Sequence, residues 1–548
     1  MEASAFVTLY DRAVSRRGVL SSGAELARAQ APVLALMVGW AAFPVVALVV
    51  WVTSHGGVLT GANGYDTFDQ LQYLAWIRDA GSHVLASNLW RIAPTPHDYL
   101  QPMYLVSAGI WRLGVPLPVA YMIWKPVAVA VLFLGCGWYA RHLLPGSRWM
   151  QAAALLIAVF YLSPVLQLAV WTGHLSVVHR FELVLATDDA DPSLGLWGLE
   201  HVALTVGLIP VYLVCAESVL ERGLAAARGR TVAAALAGAG VSWLHPWQGA
   251  MLLIVTAAAF VLAPPRRRYL NLSGPVIATM LPLAYGLALS RYDPNWHYFQ
   301  QQTTGVGTAP WWALLASFGL PAAFAAAGVR RTRELRWLLL YLWIAACALV
   351  YFVVPEYPPH ALTGITVPLG ILAVCGWDRV VHALRIPAPA AAVAAAAALA
   401  LAVVPGAIYQ IDGTMEYTHD SLIGAAQRQL VVLTDDQHDA MRFLARDRRP
   451  GGVLAPYFVS MTVPGQTGRS VFAGHEQWTL PRDVNATEAF YSPALHDPTG
   501  AFRRGILRES RATFVIEPCG APPALRHALA PVTTVAGRFG CLTLVQTG

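Results

Sequence analysis

Residues 33 to 53, VLALMVGWAAFPVVALVVWVT, carry no charged side chain. A run of about twenty apolar residues, at roughly 1.5 Å per helical residue, spans the hydrocarbon of a bilayer. Lipid offers no partner for backbone N–H and C=O groups, so such a run must close its own hydrogen bonds as a helix. Nothing else in the chain constrains the fold as strongly, because the pattern recurs. Further apolar segments lie at about 117–140, 149–169, 201–220, 231–244, 247–263, 273–290, 311–328, 337–354, 361–377 and 388–405, giving about eleven spans in all. Composition agrees: 56% of the 548 residues are hydrophobic and 12% charged, against roughly 25% charged in soluble domains. No small-residue cleavage site follows the first run, which reads as an uncleaved anchor.

Charge sets the expected orientation. Arg12, Arg16, Arg17 and Arg28 precede the first span, and later arginines cluster in alternate loops: Arg141 and Arg148; Arg222, Arg228 and Arg230; Arg266–Arg268; Arg330, Arg331, Arg333 and Arg336; Arg379 and Arg385. Basic residues mark cytoplasmic loops. Residues 1–32 are therefore expected as a cytoplasmic tail and 33–410 as the transmembrane module, with an outer loop at 54–116. An odd span count places 411–548 outside. The net charge of +6 belongs to this topology signal, and no basic stretch interleaved with aromatics points to nucleic acid as a partner. Within 231–263, arginines flank both ends, so the chain goes out and returns at WLHPWQG, residues 243–249.

After about residue 405 the sequence turns mixed-polar. VLAPYFV, SVFAG, TFVIEP and LTLVQ read as strands, and 434–448 and 498–510 as helices, giving a small α/β domain on the outer face. Cys136, Cys215, Cys347 and Cys375 fall in apolar spans, where cysteine packs as a small apolar residue. Cys519 and Cys541 fall in the outer domain, where an oxidising compartment favours a bridge between them. No CxxC or HExxH spacing appears.

The stretch GYDTFDQLQYLAWIRDAG, residues 64–81, follows the first span directly. At 100° per residue, Asp66, Asp69, Tyr73 and Trp76 share one helical stripe. Two carboxylates on one face meet one reacting group or one cation. The structural alternative is an interfacial helix whose N-terminus Asp66 caps. Other polar groups are expected on the same side: Arg91 and His97 in RIAPTPHDYLQ, His245 and Trp247 in the returning turn, His297 in RYDPNWHYFQQQ and His360 in EYPPH. Lys125, the only lysine, lies in the outer part of the second span. It either snorkels or supplies a counter-charge for a lipid phosphate. GHEQWTLPRD, with His475, Glu476, Trp478 and Arg482, is either a folded turn or a sugar-binding edge.

An enzyme that uses a lipid-linked sugar needs these parts: an outer carboxylate to take a proton from an acceptor hydroxyl, a cation for the departing lipid phosphate, and aromatic platforms. GYDTFDQLQYLAWIRDAG, the loop ending LQPMYLVSAGIWRLG and the span with Lys125 resemble the multispanning glycosyltransferases of the GT-C fold, in which an acidic motif follows the first span. The resemblance extends to HPWQG, to SRYDPNWHYFQQQ and to VFAGHEQWT. It implies an α-helical polytopic membrane protein with a small C-terminal extracytoplasmic α/β domain. It further implies a catalytic base or metal ligand at Asp69, with Asp66 as the second candidate. A divalent cation, Mg or Mn, is the cofactor if the acids are ligands. Substrate contacts are expected from Lys125, Tyr73, Trp76, Arg91, His97, His245, Trp247, His297 and His360. The spacing Asp-Thr-Phe-Asp departs from an adjacent acidic pair, and EYPPHALTG lacks the arginine pair of related chains. The expected activity is inverting transfer of a sugar from a polyprenyl-phosphate donor to an outer glycan, lipid or protein acceptor, in envelope assembly at a bacterial inner (plasma) membrane. The alternatives are a transporter or lipid flippase, and a non-catalytic assembly scaffold.

Overall fold

The computed structural model describes residues 18–548 apart from 225, 264–265 and 333. Arg12, Arg16 and Arg17 of the expected tail lie outside the described residues. A short helix, Gly18–Ala29, leads into the first long helix, Ala31–His55. Among the described residues seven helices are long and apolar enough to cross a membrane: Ala31–His55, Leu117–Leu143, Glu200–Arg222, Tyr269–Tyr292, Trp311–Gly328, Leu335–Val353 and Ala388–Thr418. An eighth candidate, Arg148–Phe160 with Pro164–Thr172, bends by 55°. The bend falls where Pro164 supplies no N–H to the preceding turn. The eleven expected apolar segments all carry helix, and seven or eight of them are long and apolar enough to count as whole spans by length and composition. The expected 231–263 pair becomes Arg228–Leu244 and the shorter apolar helix Pro246–Leu262, joined at His245. The expected 361–377 span becomes a 3-10 turn, Pro358–Leu362, and then Thr366–Ala383. Asp378 and Arg379 enter the last turns of that helix, so its apolar part is short.

Helix pairs approach closely where glycines face each other. A Cβ on Gly135 would collide with the Gly207 carbonyl, and one on Gly376 with the Phe324 carbonyl. These contacts bring Trp124–Leu143 against Glu200–Arg222, and Trp311–Gly328 against Thr366–Ala383. In lipid, small residues at the contact allow backbones to pack without a hydrophobic driving force.

The loops that follow alternate spans meet at one end of the bundle. Trp243 donates to the Leu100 carbonyl at 3.0 Å and Trp247 to the Glu356 carbonyl at 2.7 Å. Tyr298 donates to the Thr479 carbonyl at 3.1 Å. The chain beyond Thr414 folds against this end. Strand β1 (Val58–Leu59), just after the first span, pairs antiparallel with β2 (Val432–Leu433). Beyond it, β3 (Val453–Leu454), β4 (Phe514–Glu517), β5 (Thr533–Phe539) and β6 (Leu542–Thr547) form one sheet in the order β3-β4-β6-β5. Only β3 and β4 run parallel. The helices expected at 434–448 and 498–510 are Asp435–Arg446 and Ala501–Ser510. The first carries a capping box from Thr434 and Gln437. Two strand expectations are corrected. VLAPYFV keeps a strand only at Val453–Leu454, because Pro456 starts the helix Tyr457–Thr467. SVFAG contributes a single bridge, Val471 with Val453. Cys519 and Cys541 pair in a disulfide with Cα atoms 5.0 Å apart. Beneath both regions lies one continuous apolar core, reaching from Leu26 to Leu544.

Candidate functional site

The loop after the first span is fastened before it becomes helical. Gln70 is buried, accepts from the Asn63 N–H at 2.9 Å, and donates to the carbonyls of Asn63 at 2.8 Å and Trp197 at 3.3 Å. Gly64 adopts a φ of 78°, and a Cβ there would lie 2.7 Å from the Trp197 carbonyl oxygen. Glycine is required for that close approach. The helix Thr67–His83 then begins, with Asp66 at its N-cap position. Asp66 has a left-handed φ of 48° and makes no side-chain capping bond, so it is not the expected cap. Its side chain is exposed.

Asp69 occupies the first turn of this helix, where the positive end of the helix dipole favours a carboxylate. Tyr73, one turn on, donates its hydroxyl to Oδ2 at 3.1 Å. His475 Nε2 lies 3.1 Å from Oδ1. The other ring nitrogen, Nδ1, faces the Gln477 N–H at 3.4 Å. That network assigns the imidazole proton to Nε2, which donates to Asp69. His475 is 2% exposed, whereas the Asp69 side chain is 31% exposed. Burial pushes the Asp69 carboxyl up, but the hydrogen bond from His475, aided by Tyr73, outweighs it and holds the group below its ordinary value. The result is an ionised, oriented carboxylate with one side open.

The loop that carries His475 is built as a rigid part. The Trp478 and Thr479 N–H groups both bond the His475 carbonyl at 3.0 Å, and the Gly474 N–H bonds Thr479 Oγ1 at 3.1 Å. Trp478 anchors it: its ring stacks on Phe299 at 4.5 Å and meets Trp296 edge-on at 4.8 Å and Trp76 at 5.6 Å. Such aromatic pairs each add roughly 0.5–1.5 kcal/mol beyond the area they bury. Glu476 and Arg482 of the same stretch do not contact Asp69 in any described bond.

The stripe mates of Asp69 are not an open platform. Tyr73 is buried against Tyr104 at 5.2 Å and His201 at 5.4 Å, and Trp76 against Tyr99 at 4.6 Å and Trp296 at 6.0 Å. Both rings hold the helix against its neighbours because Tyr104 and His201 cover Tyr73, and Tyr99, Trp296 and Trp478 cover Trp76. Lys125 is also reassigned. It is buried, its ammonium lies 3.1 Å from Glu200 Oε1, and it donates to the Leu196 carbonyl at 2.9 Å. Its ammonium is paired inside the protein rather than reaching the surface.

The remaining expected contacts fall into separate places. His245, Trp247 and His360 do come together, with ring centroids 4.6 to 5.5 Å apart, and His360 Nδ1 lies 3.0 Å from Asp189 Oδ1. Arg91 donates to Asn295 Oδ1 at 3.3 Å. His97 Nδ1 is 3.2 Å from Asp79 Oδ2, away from Asp69. His297 is exposed, and among the described hydrogen bonds its ring meets only Gln301, at 3.0 Å. Asp66 and Asp69 do not gather a third ligand: among the described residues the groups spaced to hold an ion are Asp79 with His83 and His97, and Asp436 with Cys519 and Cys541. With no third ligand atom grouped beside them among the described residues, Asp66 and Asp69 do not form a set spaced to hold a divalent cation.

The helical bundle, the first-loop helix and the packed C-terminal region define a multi-pass membrane protein with the GT-C fold. The structure is similar to the oligosaccharyltransferase of Archaeoglobus fulgidus in its apo form, with a TM-score of 0.51 at 10% sequence identity, over 92% of this chain and 72% of that one. It also aligns with ArnT from Cupriavidus metallidurans bound to undecaprenyl phosphate, with a TM-score of 0.45 at 16% identity, over 91% of this chain and 96% of that one. No family model and no curated protein matches the sequence.

Proposed function

We propose that the protein is a membrane glycosyltransferase that moves a sugar from a polyprenyl-phosphate carrier to an extracytoplasmic acceptor, with Asp69 as general base. The observation that carries the reading is the half-open Asp69 carboxylate, held from behind by His475 and Tyr73 at the seam between the first-loop helix and the C-terminal region. The GT-C fold supports it. The acceptor hydroxyl approaches the open side of Asp69, gives up its proton, and attacks the anomeric carbon as the lipid phosphate leaves from the opposite face. That order inverts the anomeric centre. His475 keeps the carboxylate ionised and fixes its direction. The cluster of His245, Trp247 and His360 offers hydrogen-bond donors and a ring face for the polar part of a ligand.

The test is transfer from a radiolabelled polyprenyl-phosphate sugar to endogenous acceptor in membranes carrying the protein. Loss of a general base costs about 10²–10⁴ in rate. Asp69→Asn is expected to fall by at least the lower figure while still retaining donor, and Asp66→Asn by less. Full transfer in Asp69→Asn would remove the assignment. Movement of substrate across proteoliposomes with no transfer would replace the enzyme with a transporter.

A further inference from the structure

The other end of the Thr67–His83 helix presents a second polar cluster. Asp79 is 5% exposed, and its carboxylate faces two histidines. Asp79 Oδ1 lies 2.8 Å from His83 Nδ1, and Oδ2 lies 3.2 Å from His97 Nδ1. The three ligand atoms lie within 4.8 Å of one another, and the two imidazoles stack with centroids 3.8 Å apart. His83 and His97 are 51% and 36% exposed, so the mouth is open to solvent. From this arrangement we propose that Asp79, His83 and His97 form a binding site for a divalent transition metal, of which zinc is the representative ion.

Four features favour this over two solvated histidines beside an acid. First, metal–ligand bonds of roughly 2.0–2.1 Å place neighbouring ligand atoms about 3 Å apart, and both Asp79–histidine separations fall near that distance. Second, the carboxylate is oriented from behind. Ser87 donates its N–H at 2.7 Å and its hydroxyl at 2.8 Å to Oδ2, the kind of outer hydrogen bonding that fixes metal ligands. Third, the backbone builds the pairing. Ala86 and Tyr99 exchange hydrogen bonds of 2.9 and 3.0 Å as an antiparallel bridge, which delivers His97 to the side of His83. Fourth, the cluster sits at the helix C-terminus, the negative end of its dipole. Two imidazoles and one carboxylate suit zinc and its neighbours, whereas magnesium and calcium prefer oxygen ligands. Solvent or an outer ligand completes the coordination. Bound metal would tie the helix end to the 91–101 loop, which carries Tyr99 onto Trp76. Asp69 is ten residues away on the same helix, about 15 Å along its axis, so the two sites are distinct.

The experiment uses the full chain in detergent micelles, free of any histidine tag and stripped with a chelator. Zinc is titrated against a chromophoric chelator, with size-exclusion profiles checking the fold of each variant. One tight equivalent is expected. His83→Gln and His97→Gln are each expected to weaken it by 10-fold or more, and Asp69→Asn to leave it unchanged. Absence of a tight equivalent in the parent, or affinity equal to the parent's in both glutamine variants, would overturn the proposal. Loss of the equivalent in Asp69→Asn alone would place the metal at the other site and overturn it equally. X-ray absorption at the zinc edge supplies a second measurement: about two imidazoles per metal supports the site, and none removes it.

Discussion

Asp69 receives hydrogen bonds from Tyr73, four residues along its own helix, and from His475, 406 positions away. The local partner sets position, and the distant one sets ionisation. With both in place the carboxyl stays below its ordinary value, so the base remains ionised, and transfer should persist, into acid below the usual carboxylate range. His475→Phe removes the donor and leaves the burial. Burial alone raises a carboxyl pKa. The acid limb of the pH–rate profile is therefore expected to move to higher pH, and the loss to be larger in acid than near neutrality. A uniform loss with an unmoved limb would make His475 a packing residue only. Lys125 calls for a different measurement. Its partner Glu200 is fully buried, and removing one member of a buried pair typically costs about 3–5 kcal/mol because the other charge is left uncompensated. Lys125→Met is expected to lower the unfolding temperature in detergent, and Lys125→Met with Glu200→Gln to recover most of it. A Lys125→Met protein that melts normally but has lost donor affinity would restore the phosphate role.

Among the helices, the pairings are decided by shape. Gly135 faces the backbone of Gly207 with no room for a side chain. Gly135→Leu is expected to cost at least the ~1–3 kcal/mol typical of overpacking, read as faster thermal aggregation of the solubilised protein. Gly109, which has open space around its would-be Cβ, is the control, and Gly109→Ala should melt as the parent does. The short elements matter as much as the spans. The bend at Pro164 interrupts what hydropathy reads as a plain apolar run, and the break at His245 falls inside the turn expected at residues 243–249. His245 is a chain break between two helices, and its ring meets Trp247 and His360 because the break lets the backbone turn there.

For the molecule as a whole, the central relation is between the first loop and the C-terminal region. β1 pairs with β2, the helix Tyr457–Thr467 packs on Thr67–His83, and His475 reaches Asp69. A chain ending at residue 420 therefore lacks the second partner of the proposed base and is expected to lose transfer while still inserting into membranes. On the arginine pattern we propose that this whole assembly lies outside. A reporter that is active only outside is expected to work when fused after residue 548 and to fail in the 266–268 loop. The reverse result would put the candidate site on the cytoplasmic face, where the proposed donor and acceptor do not meet.

The sequence by itself determined what depends on local chemistry. Apolar length forces helices in lipid, so most span positions were legible, as were the helices at 435–446 and 501–510 and the strands of TFVIEP and LTLVQ. The i, i+4 spacing already placed Tyr73 beside Asp69. Only the tertiary structure decided what depends on distant neighbours. Tyr73 and Trp76 read as a surface stripe because a single helix does not show what will cover it; here Tyr104 and His201 cover the first and Tyr99, Trp296 and Trp478 the second. Lys125 read as a free cation because Glu200 lies 75 positions further on. His475 stood in a stretch with no periodic signal, and its importance comes entirely from the carboxylate it meets. Asp79, His83 and His97 gained meaning only through the Ala86–Tyr99 bridge. Hydrophobic length is a property of a segment, whereas burial and charge pairing are properties of a pair, and the second member of each pair is chosen by the fold.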